Sequence, residues 1–304
     1  MKLENEGYNN AIIQKVYRIA DVLELISKNY FLKNRLAFTG GTALNFVIFP
    51  KIERLSVDLD FDFREIDSKN DWGKTRDMVD SNIKGILRDL EYEDDDIRID
   101  AKYPLTRFIV KYELRTSFNI EIGYLNRYSL FTSDETKNFI HPKTGKAFKI
   151  LIPRIEEISA GKCSALISRR IPRDLFDTAI IAKLQFSRKL LRKALILKNM
   201  MNLSYNITTL NFSTHLGNIR LDDNLKVVLG DFFSKETFRN YRKTAIDFLN
   251  QLQMEFTEKE KDCLSAFIND QELNIGLLGK REMFHPQIAK HPNILWSLEK
   301  MKGT

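Results

Sequence analysis

The chain has 304 residues, room for two domains or for one domain with a large extension. Its 43% hydrophobic and 29% charged residues exclude a disordered polymer, and no apolar run approaches the ~18–20 residues that a membrane span needs. The net charge of +7 is uneven: residues 1–155 hold 25 Lys and Arg against 24 Asp and Glu, whereas residues 156–304 hold 23 against 17.

In chain order, residues 9–30 place Ile12, Ile13, Val16, Ile19, Ala20, Leu23 and Ile26 at helical spacing and predict a leading amphipathic helix. A short strand is expected at Leu36–Thr39, then a Gly40-Gly41 turn and a second helix over Thr42–Phe49, stopped by Pro50. Ser56–Phe63 alternates Val57, Leu59, Phe61 and Phe63 with Ser56, Asp58, Asp60 and Asp62, as a half-buried strand does. Residues 71–91 read as a helix, and Ile97–Tyr103, Arg107–Leu114 and Phe118–Tyr124 as β-rich runs. Residues 126–146 read as a long loop or lid ending in a turn, and Phe148–Ile152 as a last strand. Beyond residue 155 the periodicity turns helical, over Glu156–Ser168, Asp174–Ser187 and Glu236–Gln253, with a capping-box signature at Thr257–Glu260. The fold class expected is α/β (α+β): a domain over 1–155 with a mixed sheet, followed by a helical domain over 156–304.

The chemistry concentrates at Phe38-Thr39-Gly40-Gly41-Thr42 and Ser56-Val57-Asp58-Leu59-Asp60-Phe61-Asp62. Side chains at i and i+2 of a strand point the same way, so Asp58 and Asp60 suit shared divalent ions. Mg²⁺ takes a few carboxylates plus substrate phosphates. A further ligand is expected from a neighbouring strand, where Glu121 in Asn119-Ile120-Glu121-Ile122 is the candidate. Gly40 and Gly41 allow a close backbone approach at the start of a helix, where amides favour phosphate, and Thr42 adds a hydroxyl. The plain alternative is a solvated strand face, but three like charges in line repel unless a cation compensates them. Asp62 is read as structural.

Gly40-Gly41-Thr42 followed by Arg54-x-Ser56-x-Asp58-x-Asp60 resembles the signature of nucleotidyltransferases of the DNA polymerase β superfamily. The added arginine and serine resemble its AbiEii, or MenT-like, toxin branch in particular. A downstream block supports that branch: Ile158-Ser159-Ala160-Gly161-Lys162-Cys163-Ser164-Ala165-Leu166, then Arg169, Arg170 and Arg173-Asp174-Leu175-Phe176-Asp177. The matches span residues 38–180, and the last ~100 residues carry none. The resemblance implies a polymerase-β-like N-terminal domain and transfer of a nucleoside monophosphate from an NTP, with Mg²⁺ (or Mn²⁺). It further implies the 3′ acceptor end of tRNA as acceptor, a block of translation, and a cognate antitoxin encoded nearby. By residue it implies Asp58 and Asp60 as catalytic metal ligands and Gly40, Gly41, Thr42 and Ser56 at the nucleotide. It sets Lys162 at the nucleotide phosphates and Asp174 as the downstream catalytic acid. Gly161 departs mildly from the pattern, which more often has another residue before the lysine.

The basic run Lys183, Arg188, Lys189, Arg192, Lys193 and Lys198 makes Arg188, Lys189, Arg192 and Lys193 the expected RNA contacts, with a solvated helix face as the plain alternative. His141, His215, His285 and His291 show no zinc-ligand spacing. Cys163 and Cys263 form no disulfide framework, and the acidic, polar start is unlike a signal peptide, so a cytoplasmic protein is expected. Two other readings stay open: the same chemistry on a small-molecule or protein hydroxyl, and a non-catalytic module that binds RNA or a protein.

Overall fold

The computed structural model describes residues 3, 7–64, 72–113, 116–229 and 233–302. Two compact units emerge, and their boundaries interleave. The first comprises Met1–Arg127, Asp134–Pro153 and Val227–Phe232; the second comprises Tyr128–Ser133, Arg154–Lys226 and Phe233–Thr304. Within the first unit, the Leu55 amide donates to the Val228 carbonyl at 2.8 Å, which ties the returning segment to the approach to the acidic strand.

The first unit is built on strands β1 (Leu36–Thr39), β2 (Leu59–Phe63), β3 (Ile97–Lys102), β4 (Leu105–Glu113) and β5 (Thr116–Gly123), in the order β1-β2-β5-β4-β3. Only β2 and β5 pair in parallel; the other neighbours are antiparallel, so the sheet is mixed. Alternation along the strands divides its faces. Phe61 and Phe63 of β2, Phe108 and Val110 of β4, and Phe118, Ile120 and Ile122 of β5 are all buried. Helix α1 (Asn10–Lys28) adds Val16, Ile19, Val22, Leu23 and Ile26 to this core. Asn9 caps the helix by accepting from the Ala11 amide, as the preference for Asn at that position requires.

Helix α2 (Gly40–Ala43) follows β1 directly and runs on as a π-helical turn over Leu44–Ile48; α3 spans Trp72–Asp89. Residues 126–146 depart from the loop or lid expected. They contain strand β6 (Glu135–Ile140), which forms an antiparallel hairpin with β7 (Ala147–Ile152) around the His141–Gly145 turn. The sequence hid β6 because only Phe139 of its residues is buried, so no alternation marks it.

The second unit is helical: α4 (Ile155–Arg169), α5 (Pro172–Ile181), α6 (Arg188–Met201), α7 (Phe212–Leu216), α8 (Asp223–Lys226), α9 (Lys235–Met254), α10 (Glu258–Asp270) and α11 (Pro292–Lys302). Helix α6 packs against α4, α10 and α11, and α9 against α5, where the Phe176 and Tyr241 rings stack with centroids 4.9 Å apart. The capping box read at Thr257 is formed reciprocally with Glu260 at the start of α10.

Candidate active site

Asp60 belongs to a cross-strand row. Its register partners are Thr39 on β1 and Glu121 on β5; Glu121 faces Arg107 on β4, and Arg107 faces Asp100 on β3. Paired residues share a face, so the row lies on the side of the sheet opposite Phe61 and Ile122. Gly40 makes this arrangement possible. Its φ is +72°, and a Cβ built there would lie 1.9 Å from the Asp60 Oδ2. The Asp60 carboxylate therefore occupies the space that a side chain at residue 40 would fill.

Asp58 precedes β2 and leans on β5. Its Oδ1 accepts from the Asn119 side-chain amide at 3.1 Å and from the Asn119 backbone amide at 3.3 Å. Sequence reasoning missed this partner, although Asn119 shares an alternating face with Glu121. Thr42 and Ser56, both expected at the nucleotide, are buried and brace the turn. The Thr42 hydroxyl donates to the Asp58 carbonyl at 2.5 Å and lies 2.9 Å from the Ser56 hydroxyl. Asp62 is structural: it accepts from Asn126 at 3.0 Å, beside Arg64, whose guanidinium pairs with Asp134 at 2.6 Å.

Glu121 has a cation for a neighbour as well as an acid. Although it is in register with Asp60, its carboxylate pairs with the Arg107 Nε at 2.7 Å, and the described residues hold no group of three or more ligating side chains suited to a metal. That bond engages Oε1, and a carboxylate has a second oxygen able to accept or to ligate. Asp58 and Asp60 remain as a pair of hard oxygen donors. That set suits Mg²⁺, which binds one or two carboxylates and leaves its other positions to water and phosphate.

In the helical unit, Lys162 of α4 meets Asp177 at 3.0 Å and Asp174 at 3.6 Å, both on α5. Arg169 grips Asp174 with two bonds, Nε to Oδ2 at 3.0 Å and Nη2 to Oδ1 at 2.9 Å. Both acids are fully buried, and Asp174 lies in the first turn of α5, where the helix dipole favours negative charge. The downstream block thus brings two cations and two anions together in one network. Asp177 and Arg169 belong to it as much as the expected Lys162 and Asp174.

The expected RNA contacts fare differently. Arg188 pairs with Glu255 at 2.6 Å, Arg192 with Glu260 at 3.1 Å and Glu255 at 3.4 Å, and the buried Lys193 with Glu260 at 3.3 Å. These charges stitch α6 to the start of α10, and of the expected set Lys189 alone is exposed.

The profile of the family described as "Nucleotidyl transferase AbiEii toxin, Type IV TA system" matches residues 24–260. MenT4, a nucleotidyltransferase toxin from Mycobacterium tuberculosis H37Rv, is similar in structure, with a TM-score of 0.57 at 16% identity over 95% of this chain and 93% of that one. CdnC of Escherichia coli MS115-1, solved with ATP, aligns over 88% of both chains at 10% identity, with a TM-score of 0.29. The same protein in a complex with HORMA-deltaN aligns over 90% of this chain and 91% of that one at 11% identity, with a TM-score of 0.27. No curated protein matches the sequence significantly. With the profile match extending from within α1 into α10, and with Gly40, Asp58, Asp60, Lys162 and Asp174 all inside it, the chain belongs to the AbiEii family of nucleotidyl transferase toxins of type IV toxin–antitoxin systems.

Proposed function

We propose that this protein transfers a nucleoside monophosphate from an NTP to the 3′ acceptor end of tRNA, with Mg²⁺ or Mn²⁺ held by Asp58 and Asp60. The observation that carries the proposal is the Asp60 carboxylate lodged against the Cα of Gly40, with Asp58 fixed beside it by Asn119. A divalent ion bound there would offset phosphate charge and favour the ionised form of the attacking hydroxyl. The RNA hydroxyl oxygen bonds to the α-phosphorus as its proton passes to solvent, the bond to the bridging oxygen of the β-phosphoryl group breaks, and pyrophosphate leaves.

The chain's own residues prepare for this. Asn119 orients Asp58, the Thr42–Ser56 brace fixes the backbone between turn and strand, and Arg107 offsets the charge of Glu121. Lys162 is proposed to meet phosphate, since an ammonium has three donors and Asp174 and Asp177 fix its position. The family further implies a cognate antitoxin as partner and the cytoplasm as the place of action.

The test is incubation with α-labelled NTPs and separate tRNA, protein and aminoglycoside acceptors. Label is expected at the tRNA 3′ end, with a loss of roughly 100-fold or more in Asp60→Asn. Label on another acceptor, or transfer by Asp60→Asn at the original rate, would overturn the reading.

A further inference from the structure

The basic face of α6 is occupied by carboxylates, but a second set of cations in the helical unit is not. Arg220, from the segment after α7, and Lys235, Arg239 and Arg242, from α9, line a cavity of about 380 Å³ together with Leu221 and Phe238. Lys235, Arg239 and Arg242 stand at i, i+4 and i+7 and so share a stripe about 60° wide. Among the described residues none of these four cations pairs with a carboxylate. Of the described acids nearby in sequence, Asp222 accepts the Leu225 amide at 2.8 Å and Asp223 pairs with Lys226 at 2.7 Å. Glu236 stands about 100° round the helix from Lys235.

Two of the guanidinium groups are anchored at one point. The Arg242 Nη1 donates to the Ile219 carbonyl at 2.8 Å, and the Arg220 Nη1 donates to the same oxygen at 3.3 Å and to the Gly217 carbonyl at 3.0 Å. Each guanidinium has five N–H donors, so several on each group remain for a ligand. Burial, and then the charges of Arg220 and Arg239, push the Arg242 guanidinium below its ordinary value. Like charges crowded in this way are relieved by an anion.

We infer that this cavity binds the phosphodiester backbone of an RNA strand. Lys235 and Arg242 are about 10 Å apart along the helix axis. One phosphate with contacts of ~2.8 Å covers only part of that length, so a repeating polyanion fits the row. The inference rests on the reading of RNA as acceptor and gives that RNA a place on the helical unit.

The experiment measures binding of a fluorescein-labelled tRNA acceptor strand to the full-length protein by anisotropy across a salt series, without nucleotide or metal. Lys235→Gln/Arg239→Gln alters two exposed side chains and is expected to weaken binding about 10-fold. It is also expected to lower the slope of log K against log salt by about 1.4, for two single-strand phosphate contacts. Arg239→Lys should stay near wild type, and Lys259→Gln, an exposed lysine outside the cavity, should change neither quantity. An unchanged affinity and slope in the double variant would overturn the inference, as would a wild-type protein that does not bind the strand. Displacement of the strand by stoichiometric inorganic pyrophosphate would overturn it in favour of a small-oxyanion site. Binding is read apart from transfer, so a protein that transfers no label yet loses RNA affinity in the double variant refutes the transfer reading and keeps this site. Intact binding by the double variant alongside normal transfer does the reverse.

Discussion

Gly40 and Asp60 share one volume, and that sharing links backbone conformation to chemistry. Gly40→Ala would force a side chain into left-handed backbone at a cost of about 1–2 kcal/mol, and its Cβ would also displace the Asp60 carboxylate. Both effects are expected: a lower urea midpoint and nucleotide transfer reduced as far as in Asp60→Asn. Gly85→Ala is the opposite case. It lies inside α3 with open space where its Cβ would go, and should stabilise by about 0.5–1 kcal/mol with transfer unchanged. The glycine turn and the paired aspartates were legible in the sequence because both are local signals. Asn119 and Arg107 were not, because their roles depend on the β2–β5 and β4–β5 registers, which join positions far apart in the chain.

Among the elements, those with a strong period were the legible ones. Helix α1 and strands β2 and β5 bury what their alternation or helical spacing says they bury. Helix α6 shows the limit of this reasoning: its basic residues are plain in the sequence, but their partners Glu255 and Glu260 lie more than sixty positions on. Glu260 also predicts a pH dependence. Burial alone would raise its carboxyl, but the Thr257 amide, Arg192 and Lys193 outweigh that and hold it below its ordinary value. With the folded value below the unfolded one, the stabilisation is present above the unfolded value of about 4.5 and is lost as pH falls through the folded value. Glu260→Gln is therefore expected to cost about 3 kcal/mol at neutral pH, because it leaves the buried Lys193 unpaired. It should also flatten the decline of stability on acidification, and denaturant titrations at neutral and acid pH check both outcomes.

For the whole molecule, the cysteines offer a probe of one unit alone. Cys163 and Cys263 both belong to the helical unit and both are fully buried. Burial pushes the Cys163 thiol up to about 12 and the Cys263 thiol up to about 11, so neither ionises near neutrality. A thiol reagent at pH ~7 is expected to label both only when this unit opens, because the thiolate is the reactive form. Labelling followed through a urea series should therefore track the loss of α4 and α10, and rapid labelling of the native protein would contradict the packing described. The interleaving of the units was not legible in the sequence, because Val227–Phe232 joins the sheet unit without any shift in composition.

The fit of an acidic oxygen against a bare α-carbon also has a genetic consequence. Every base change in the first two positions of a glycine codon replaces the hydrogen at residue 40 with something larger or ends the chain. Codon 40 is thus a point where mutation disarms the acid pair without altering either aspartate, and escape variants that still make full-length protein are to be sought there first.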